Sequence, residues 1–143
     1  MKDDELIVHT DGGARGNPGP AACAFIAEIS GKVLNTESLY LGRSTNNYAE
    51  YQGVILALGW IKDNYKNLKI STIFLNLDSE LVVRQLNGIY KVKDINLIKL
   101  HQQSVQLCKN IGLKFIIKNI PRSQNKVADF LVNKELDKNL IKK

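Results

Sequence analysis

Three apolar runs with the two-residue period of β-strands come first in this chain, and a helical pattern begins only after them. The runs are Leu6 to Asp11, Ala22 to Ile29 and Val33 to Leu41. Ser30-Gly31-Lys32 separates the second run from the third and predicts a hairpin turn. Because strands joined by short turns pair antiparallel, the first part of the chain is predicted to be an antiparallel meander.

The rest of the chain alternates between helical and strand patterns. The predicted elements are a helix from Thr45 or Ser44 to about Tyr65, a strand over Thr72 to Leu77, a short helix over Ser79 to Leu86 stopped by Asn87-Gly88, a helix over Ile95 to Ile111 closed by Gly112, a strand over Leu113 to Ile120 ended by Pro121, and a helix from Asn125, as its N-cap, to about Leu140. Strand–helix–strand units favour parallel pairing with helices on the sheet faces. We therefore predict an α/β fold in a single domain over residues 1–143, with a mixed five-stranded sheet, first antiparallel and then parallel, flanked by helices.

Charge and cysteine content narrow the classes of function. The net charge of +6 indicates a polyanionic partner such as nucleic acid, with an ordinary lysine-rich surface as the alternative. The 2 cysteines, Cys23 and Cys108, form no CxxC motif, which argues against a zinc site or a disulfide framework and fits the cytoplasm. No apolar h-region follows the charged segment Met1 to Glu5, so we expect no signal peptide, and no run approaches the roughly 20 apolar residues of a membrane helix.

Four acidic residues fall at the ends of predicted elements. Asp11 ends the first strand and Asp78 the fourth, while Glu50 and Asp129 lie in the first turns of two helices. Each alone has an ordinary explanation as a turn residue, a helix cap or an acid at a helix N-terminus. Together at one sheet edge they would repel each other unless cations balance them. Oxygen ligands favour Mg²⁺ or Mn²⁺, and two such ions about 3.5–4 Å apart can clamp both oxygens of a phosphodiester displacement.

The glycine-rich segment from Gly12 to Pro20 fits no common phosphate-binding motif. No Gly-Lys-Ser/Thr follows, which excludes a Walker loop, and its glycine spacing does not match a dinucleotide-binding fingerprint. Its glycines would let the backbone pass close to a ligand.

Four segments carry a family resemblance that covers nearly the whole chain. They are Thr10-Asp11-Gly12-Gly13 with Gly16-Asn17-Pro18-Gly19-Pro20, then Thr45-Asn46-Asn47-Tyr48-Ala49-Glu50, then Asp78-Ser79 followed by Leu81-Val82-Val83 and Gln85-Leu86, and finally Asn125-Lys126-Val127-Ala128-Asp129. In order and spacing these segments resemble the four motifs of ribonuclease H type 1. The resemblance implies the ribonuclease H-like fold, and hydrolysis of the RNA strand of RNA–DNA hybrids that leaves 5′-phosphate and 3′-hydroxyl ends.

The resemblance also implies a metal site and a substrate surface. Asp11, Glu50 and Asp78 would hold one Mg²⁺ ion, and Asp11 with Asp129 a second, with Mn²⁺ able to substitute. One ion would activate the attacking water and the other would stabilise the leaving oxygen. The hybrid's minor groove and 2′-hydroxyls would be read mainly by asparagines and by glycine backbone. The predicted substrate-binding residues are Gly12, Gly13, Asn17, Thr45, Asn46, Asn47, Glu80, Arg122 and Asn125.

The chain departs from the family pattern at three places. Arg122 stands in the loop where many members carry a histidine; it cannot act as a base but can bind phosphate, the alternative being a solvated turn. Glu80 replaces a glutamine that contacts bases, which puts that contact in doubt. The segment Asn87 to Asp94 is too short for the basic insertion of some members. Within it, Tyr90-Lys91-Val92-Lys93 is either a small substitute or an exposed connector.

Two rival functions remain on the same fold. A non-catalytic module that binds hybrids or double-stranded RNA would gain nothing from clustered acids, which repel phosphate. The nuclease part of a reverse transcriptase is the other, but Met1 lies just before the first strand, so we expect a stand-alone protein. We further expect a monomer without an obligate protein partner or membrane contact, and double-stranded RNA stays open as a second substrate. His9 and Trp60 are predicted to be packing residues.

Overall fold

The structure is a computed structural model that describes residues 4–140, and it contains every predicted element. The strands are β1 (Asp4–Ala14), β2 (Gly19–Ile29), β3 (Lys32–Ser44), β4 (Ile70–Leu77) and β5 (Lys114–Asn119), and the helices are α1 (Asn46–Asn64), α2 (Glu80–Leu86), α3 (Ile95–Ile111) and α4 (Lys126–Leu140). Two one-turn 3-10 helices, Tyr65–Asn67 and Arg122–Gln124, were not predicted. The N-terminal residues 1–3, on which the signal-peptide prediction depends, lie outside the described residues.

The sheet has the predicted mixture of strand directions. Its order is β3-β2-β1-β4-β5. β2 pairs antiparallel with β1 and with β3, whereas β4 pairs parallel with β1 and with β5. The carboxyl ends of the neighbouring strands β1 and β4 therefore lie at the same edge, which is where ligands bind in open α/β sheets.

Local side-chain contacts explain where the helices begin and end. The Thr45 hydroxyl accepts the Tyr48 N–H at 3.3 Å, so Thr45 is the cap of α1, one of the two residues predicted for it. The Ser79 hydroxyl accepts the Val82 N–H at 3.3 Å, so Ser79 caps α2, although it was predicted to be the first residue of that helix. Gly112 ends α3 with a φ of 74°, a backbone conformation that favours glycine. At the start of α4 the Asn125 carbonyl accepts the Asp129 N–H at 3.1 Å, but the Asn125 side chain does not cap the helix and points into the site instead.

Two apolar clusters of unequal size hold the helices on the two faces of the sheet. The larger contains α1, α2 and α3. The apolar pattern of α1 predicts a stripe of Val54, Ile55, Leu58 and Ile61, of which Val54, Leu58 and Ile61 are fully buried and Ile55 is partly buried. Trp60 packs there against the ring of Phe25, with centroids 5.9 Å apart, as predicted. On the opposite face α4 rests on a smaller cluster. Its buried members are Ala22, Ala24, Val132 and Leu136.

His9 lies on the sheet face that α4 covers. This side chain is half-buried, as expected for a packing residue, and burial lowers its pKa. Among the described residues, no helix combines the length and the apolar content that crossing a membrane requires.

Candidate metal centre

Two glycines let helix α1 lie directly against strand β1. A Cβ on Gly12 would overlap the carbonyl of Ala49, and a Cβ on Gly53 would lie 2.7 Å from the carbonyl oxygen of Asp11. Any larger residue at either position would push the helix away from the strand. From the sequence, Gly12 was predicted to let the backbone pass close to a ligand. The structure shows that Gly12 also leaves room for the helix that carries Glu50.

This close approach brings three carboxylates together. Ligand oxygens of Asp11, Glu50 and Asp78 all lie within 4.8 Å of one another. The Gly12 N–H donates both to Asp11 Oδ1 at 2.9 Å and to Glu50 Oε1 at 2.7 Å. Glu50 Oε2 is buried and has no hydrogen-bond partner. A buried acceptor without a donor is costly, so this oxygen is suited to a cation.

The electrostatics of the cluster favour the same occupant. Burial is the main reason that the pKa of Asp11 is raised to about 6; the nearby charges of Asp78 and Asp129 also raise it, while hydrogen bonds with Glu50 and Gly12 partly oppose the shift. Burial also raises the pKa of Glu50 well above its usual range, as do its contacts with Asp11. Within residues 4–140 the ion pairs join Arg15 to Asp137 and Arg84 to Glu80, so no lysine or arginine forms an ion pair with a carboxylate of the cluster. A set of uncompensated carboxylate oxygens fits a hard divalent cation.

Asparagine amides hold the two outer carboxylates. The Asn125 amide donates to the Thr10 carbonyl at 2.9 Å and to Asp78 Oδ2 at 3.2 Å, tying Asp78 to β1. The Asn133 amide donates to the Asp129 carbonyl at 3.0 Å and to Asp129 Oδ1 at 3.4 Å. Each outer carboxylate is therefore oriented by a neutral donor that does not cancel its charge.

An open cavity of about 460 Å³ lies over the carboxylates. The predicted residues that line it are Asp11, Gly12, Gly13, Asn46, Asn47, Glu50, Asp78, Arg122 and Asp129. The structure thus brings the four predicted ligands to one cavity, together with the backbone and amides predicted to contact substrate.

Four predicted substrate-binding residues do not line this cavity. Asn17 does not line the cavity itself but contacts Asn46, which does: the Asn17 side chain accepts the Asn46 N–H at 3.0 Å. Thr45 caps α1, and the exposed Glu80 pairs with Arg84 at 2.9 Å. Asn125 is 1% exposed and lies behind Asp78, where a substrate could not reach it directly.

The cavity also contains residues that the sequence interpretation missed. These are Ala14, Arg15, Ser79, Val132, Asn133 and Leu136. The last helix could have supplied three of them, since Val132, Asn133 and Leu136 follow Asp129 by three, four and seven positions on one helical face. Arg15 had no such signal, because its contacts are made with a helix more than 100 residues away in the chain, Asn133 being 118 positions from it.

A model of the reverse transcriptase-like family matches residues 9–135. Among curated proteins the chain is 38% identical over 136 residues to a bifunctional protein of Mycobacterium tuberculosis, covering 93% of this chain and 36% of that protein. It is 35% identical over 128 residues to ribonuclease HI of Halobacterium salinarum, covering 89% of this chain and 62% of that protein. The chain thus spans about a third of the length of the mycobacterial relative.

Solved structures agree over the whole length of the domain. LC11 ribonuclease H1, isolated from compost and solved in complex with an RNA/DNA hybrid, superposes with a TM-score of 0.89 at 38% identity. That match covers 94% of this chain and 99% of the other. Ribonuclease H1 of Halobacterium salinarum superposes with a TM-score of 0.85 at 32% identity, covering 94% and 98% of the two chains.

Proposed function

The chain belongs to the ribonuclease H type 1 family, and from that premise we propose that it is a metal-dependent endonuclease that hydrolyses the RNA strand of RNA–DNA hybrids. The observation that carries the proposal is the cluster of Asp11, Glu50 and Asp78, which has an unpartnered buried Glu50 oxygen and no ion pair with a base among the described residues. Such a cluster is costly for a protein that only binds polyanions, and it suits hydrolysis with divalent cations.

The carboxylates divide into two proposed ligand sets. Asp11, Glu50 and Asp78 would hold one Mg²⁺ ion and Asp11 with Asp129 a second, with Mn²⁺ as a substitute. When bound, such ions activate a water and stabilise the charge on the leaving oxygen. The Gly12 N–H fixes Asp11 Oδ1 and Glu50 Oε1, which leaves Asp11 Oδ2 and Glu50 Oε2 free of that donor. Attack by water with the ribose 3′-oxygen leaving would yield 5′-phosphate and 3′-hydroxyl ends.

Substrate recognition is proposed for the cavity wall beside the carboxylates. Asn46, Asn47 and the backbone of Gly12 and Gly13 line this wall and offer donors and acceptors to ribose 2′-hydroxyls. Asn17 would act through Asn46, whose N–H it accepts. The similar LC11 enzyme was solved with an RNA/DNA hybrid, which supports a hybrid as substrate here.

Arg122 is proposed to bind a substrate phosphate. It lines the cavity in a one-turn helix just before α4, on the same opening as Asp129. An arginine at that place supplies a permanent positive charge and several donors, but no base.

A labelled RNA–DNA hybrid tests the proposal. We expect cleavage of the RNA strand alone with Mg²⁺ or Mn²⁺, no cleavage with chelator, and 5′-phosphate on the products. Asp11→Asn should abolish cleavage while hybrid binding survives. Asp63→Asn makes the same change at an exposed site on α1 and should cut normally. Absence of metal-dependent cleavage at micromolar enzyme would overturn the proposal.

The same assay separates the remaining alternatives. Hybrid binding without cleavage by the wild-type protein would favour the non-catalytic module, and a parallel double-stranded RNA substrate tests the second activity. A monomer is also part of the proposal, and sedimentation at micromolar protein measures it. We place the protein in the cytoplasm, where Cys23 and Cys108 would stay reduced.

A further inference from the structure

Asp129 stands apart from the other three carboxylates. It lines the same cavity, but it does not fall within the 4.8 Å spacing that Asp11, Glu50 and Asp78 share. It is carried by α4, which rests on the smaller of the two apolar clusters. Its distance from the other ligands therefore depends on how α4 and the Asp129 side chain are held.

A chain of polar contacts runs from the end of β1 to this carboxylate. Arg15 follows Asp11 by four residues, and its Nη2 contacts Asp137 Oδ1 at 2.7 Å and Asn133 Oδ1 at 3.2 Å. The Asn133 amide group in turn donates to the Asp129 carbonyl and to Asp129 Oδ1. Because an amide has its acceptor on one side and its donors on the other, Arg15 bound at Oδ1 turns the donors of Asn133 toward Asp129.

The energetics argue that these contacts serve geometry more than stability. The side chains of Arg15 and Asp137 are 41% and 63% exposed. Ion pairs at such exposure stabilise a fold by well under about 1 kcal/mol. The same contact, however, joins the loop after β1 to the fourth turn of α4, and so restrains the helix that carries one ligand against the strand that carries another.

We propose that Arg15 and Asn133 are positioning residues that hold the Asp129 carboxylate in place for the second metal ion. This inference rests on the proposed function, since it concerns the same site. Asn133 occupies Asp129 Oδ1 and leaves Oδ2 free of that bond, and Arg15 keeps both Asn133 and α4 in register with β1. Without them the carboxylate could rotate away from the ion that it shares with Asp11.

The chain offers a matched control on the same helix. Asn139 makes the same pair of contacts one turn and a half further on, donating to the Glu135 carbonyl at 2.8 Å and to Glu135 Oε2 at 2.9 Å. Asn133→Ala and Asn139→Ala therefore remove the same pair of contacts to the residue four positions earlier, Asn133 being exposed and Asn139 half-buried. A purely structural role would make the two variants behave alike.

The experiment measures metal affinity in two ways. We expect Asn133→Ala and Arg15→Ala to raise the Mg²⁺ concentration for half-maximal cleavage about 10-fold, since groups that orient metal ligands typically contribute 10–100-fold. Mn²⁺ titration of the free protein, followed by electron paramagnetic resonance, should show the same weakening without any turnover. Asn139→Ala should match wild type in both measurements, with a shift of the thermal midpoint like that of Asn133→Ala.

Arg15→Lys covers the case in which Arg15→Ala fails to fold. Lysine keeps the positive charge, but its side chain is one atom shorter than that of arginine, so its ammonium group should not reach both Asp137 and Asn133, which Arg15 contacts through Nη2. This variant should therefore fold and still need more metal. Unchanged Mn²⁺ affinity and Mg²⁺ requirement in Asn133→Ala and Arg15→Lys would overturn the inference. If the wild type bound Mn²⁺ but cut no hybrid, the proposed function would fail, while the Mn²⁺ titration would still decide the role of these residues.

Discussion

At the scale of single residues, the carboxylates of the candidate metal centre should destabilise the metal-free protein, and a bound cation should remove that destabilisation. Asp11 is 7% exposed and Glu50 5% exposed, and both face other carboxylates without an ion pair to a base in residues 4–140. Ionising them without a cation costs free energy through burial and mutual repulsion. If the site holds divalent cations as proposed, it lowers the stability of the metal-free protein in exchange for binding them.

The raised pKa of Asp11 makes the stability of the metal-free protein depend on pH. The folded-state pKa is about 6 against an ordinary 3.8, so the unfolded chain loses this proton at lower pH than the folded one. The stability of the metal-free protein should therefore be greatest below about pH 4 for this group, and should fall as pH rises from about 4 to 6. Divalent metal ions should restore it at neutral pH by binding the folded state.

Asp11→Asn removes that pH-dependent loss. In chelator at pH 7.5 we expect this inactive variant to unfold with a free energy on the order of 1–3 kcal/mol higher than wild type, because one pKa unit is worth about 1.4 kcal/mol. Urea unfolding at pH 5 and pH 7.5 measures the effect, and the gain should shrink at the lower pH. Asp63→Asn should show no such gain. A variant less stable than wild type at pH 7.5 would contradict the electrostatic account.

The positions of residues in the fold could be predicted from the sequence where a local pattern sets them. Asp78 directly follows β4, whereas Asp11 does not end β1 as predicted: it lies inside that strand, two residues beyond the last pair that β1 forms with β4, His9 with Asn76. Both acids still lie at the edge where the carboxyl ends of neighbouring strands meet. Glu50 and Asp129 depended on the surrounding motifs. The amide of Asn125 behind Asp78 and the contact of Arg15 with α4 could not be found this way, because both join segments far apart in the chain and depend on side-chain direction.

At the scale of elements, the site depends on how closely α1 lies against β1. Gly53 faces the Asp11 carbonyl at the crossing, and the next residue, Val54, belongs to the fully buried stripe of the helix. A buried hydrogen bond of 2.7 Å from the Tyr51 hydroxyl to Gln85 Oε1 also ties α1 to α2, the helix that follows Asp78. Helix boundaries were predictable from caps and glycines, but this interhelix bond was not, since nothing local pairs a tyrosine with a distant glutamine.

Two glycines of α1 make a controlled test of that crossing. Gly53→Ala places a Cβ 2.7 Å from the Asp11 carbonyl oxygen, so we expect a loss of about 1–3 kcal/mol of stability and reduced cleavage as Glu50 moves from Asp11. Gly59→Ala meets nothing within 4 Å and should stabilise the helix by about 0.5–1 kcal/mol with normal cleavage. Thermal unfolding and the hybrid assay measure both. Equal behaviour of the two variants would show that the crossing is not tight.

At the scale of the whole molecule, the chain has a net charge of +6, although four carboxylates line its central cavity. In the proposed function, a polyanionic substrate must be held by bases away from the carboxylates. The connector between α2 and α3 is one candidate for that role, because Lys91 and Lys93 are exposed there and the Arg84 guanidinium lies 5.4 Å from the centre of the Tyr90 ring. The sequence left this segment open between a nucleic-acid contact and a plain connector, and fold alone does not decide it.

Removing those two lysines decides between the alternatives. If both contact phosphates, Lys91→Ala combined with Lys93→Ala should weaken hybrid binding and lower the slope of log affinity against log salt by about 2, roughly 1 per lost phosphate contact. Lys62→Ala combined with Lys66→Ala makes the same change in net charge at the far end of α1, which begins at the cavity with Asn46. That pair should leave the slope unchanged. Binding is measured by the fluorescence anisotropy of a labelled hybrid. All variants carry Asp11→Asn in addition, so that the hybrid is not cleaved during the titration. Equal slopes for the two double variants would leave Tyr90 to Lys93 as a connector and move substrate binding to the wall formed by Asn46, Asn47 and Arg122.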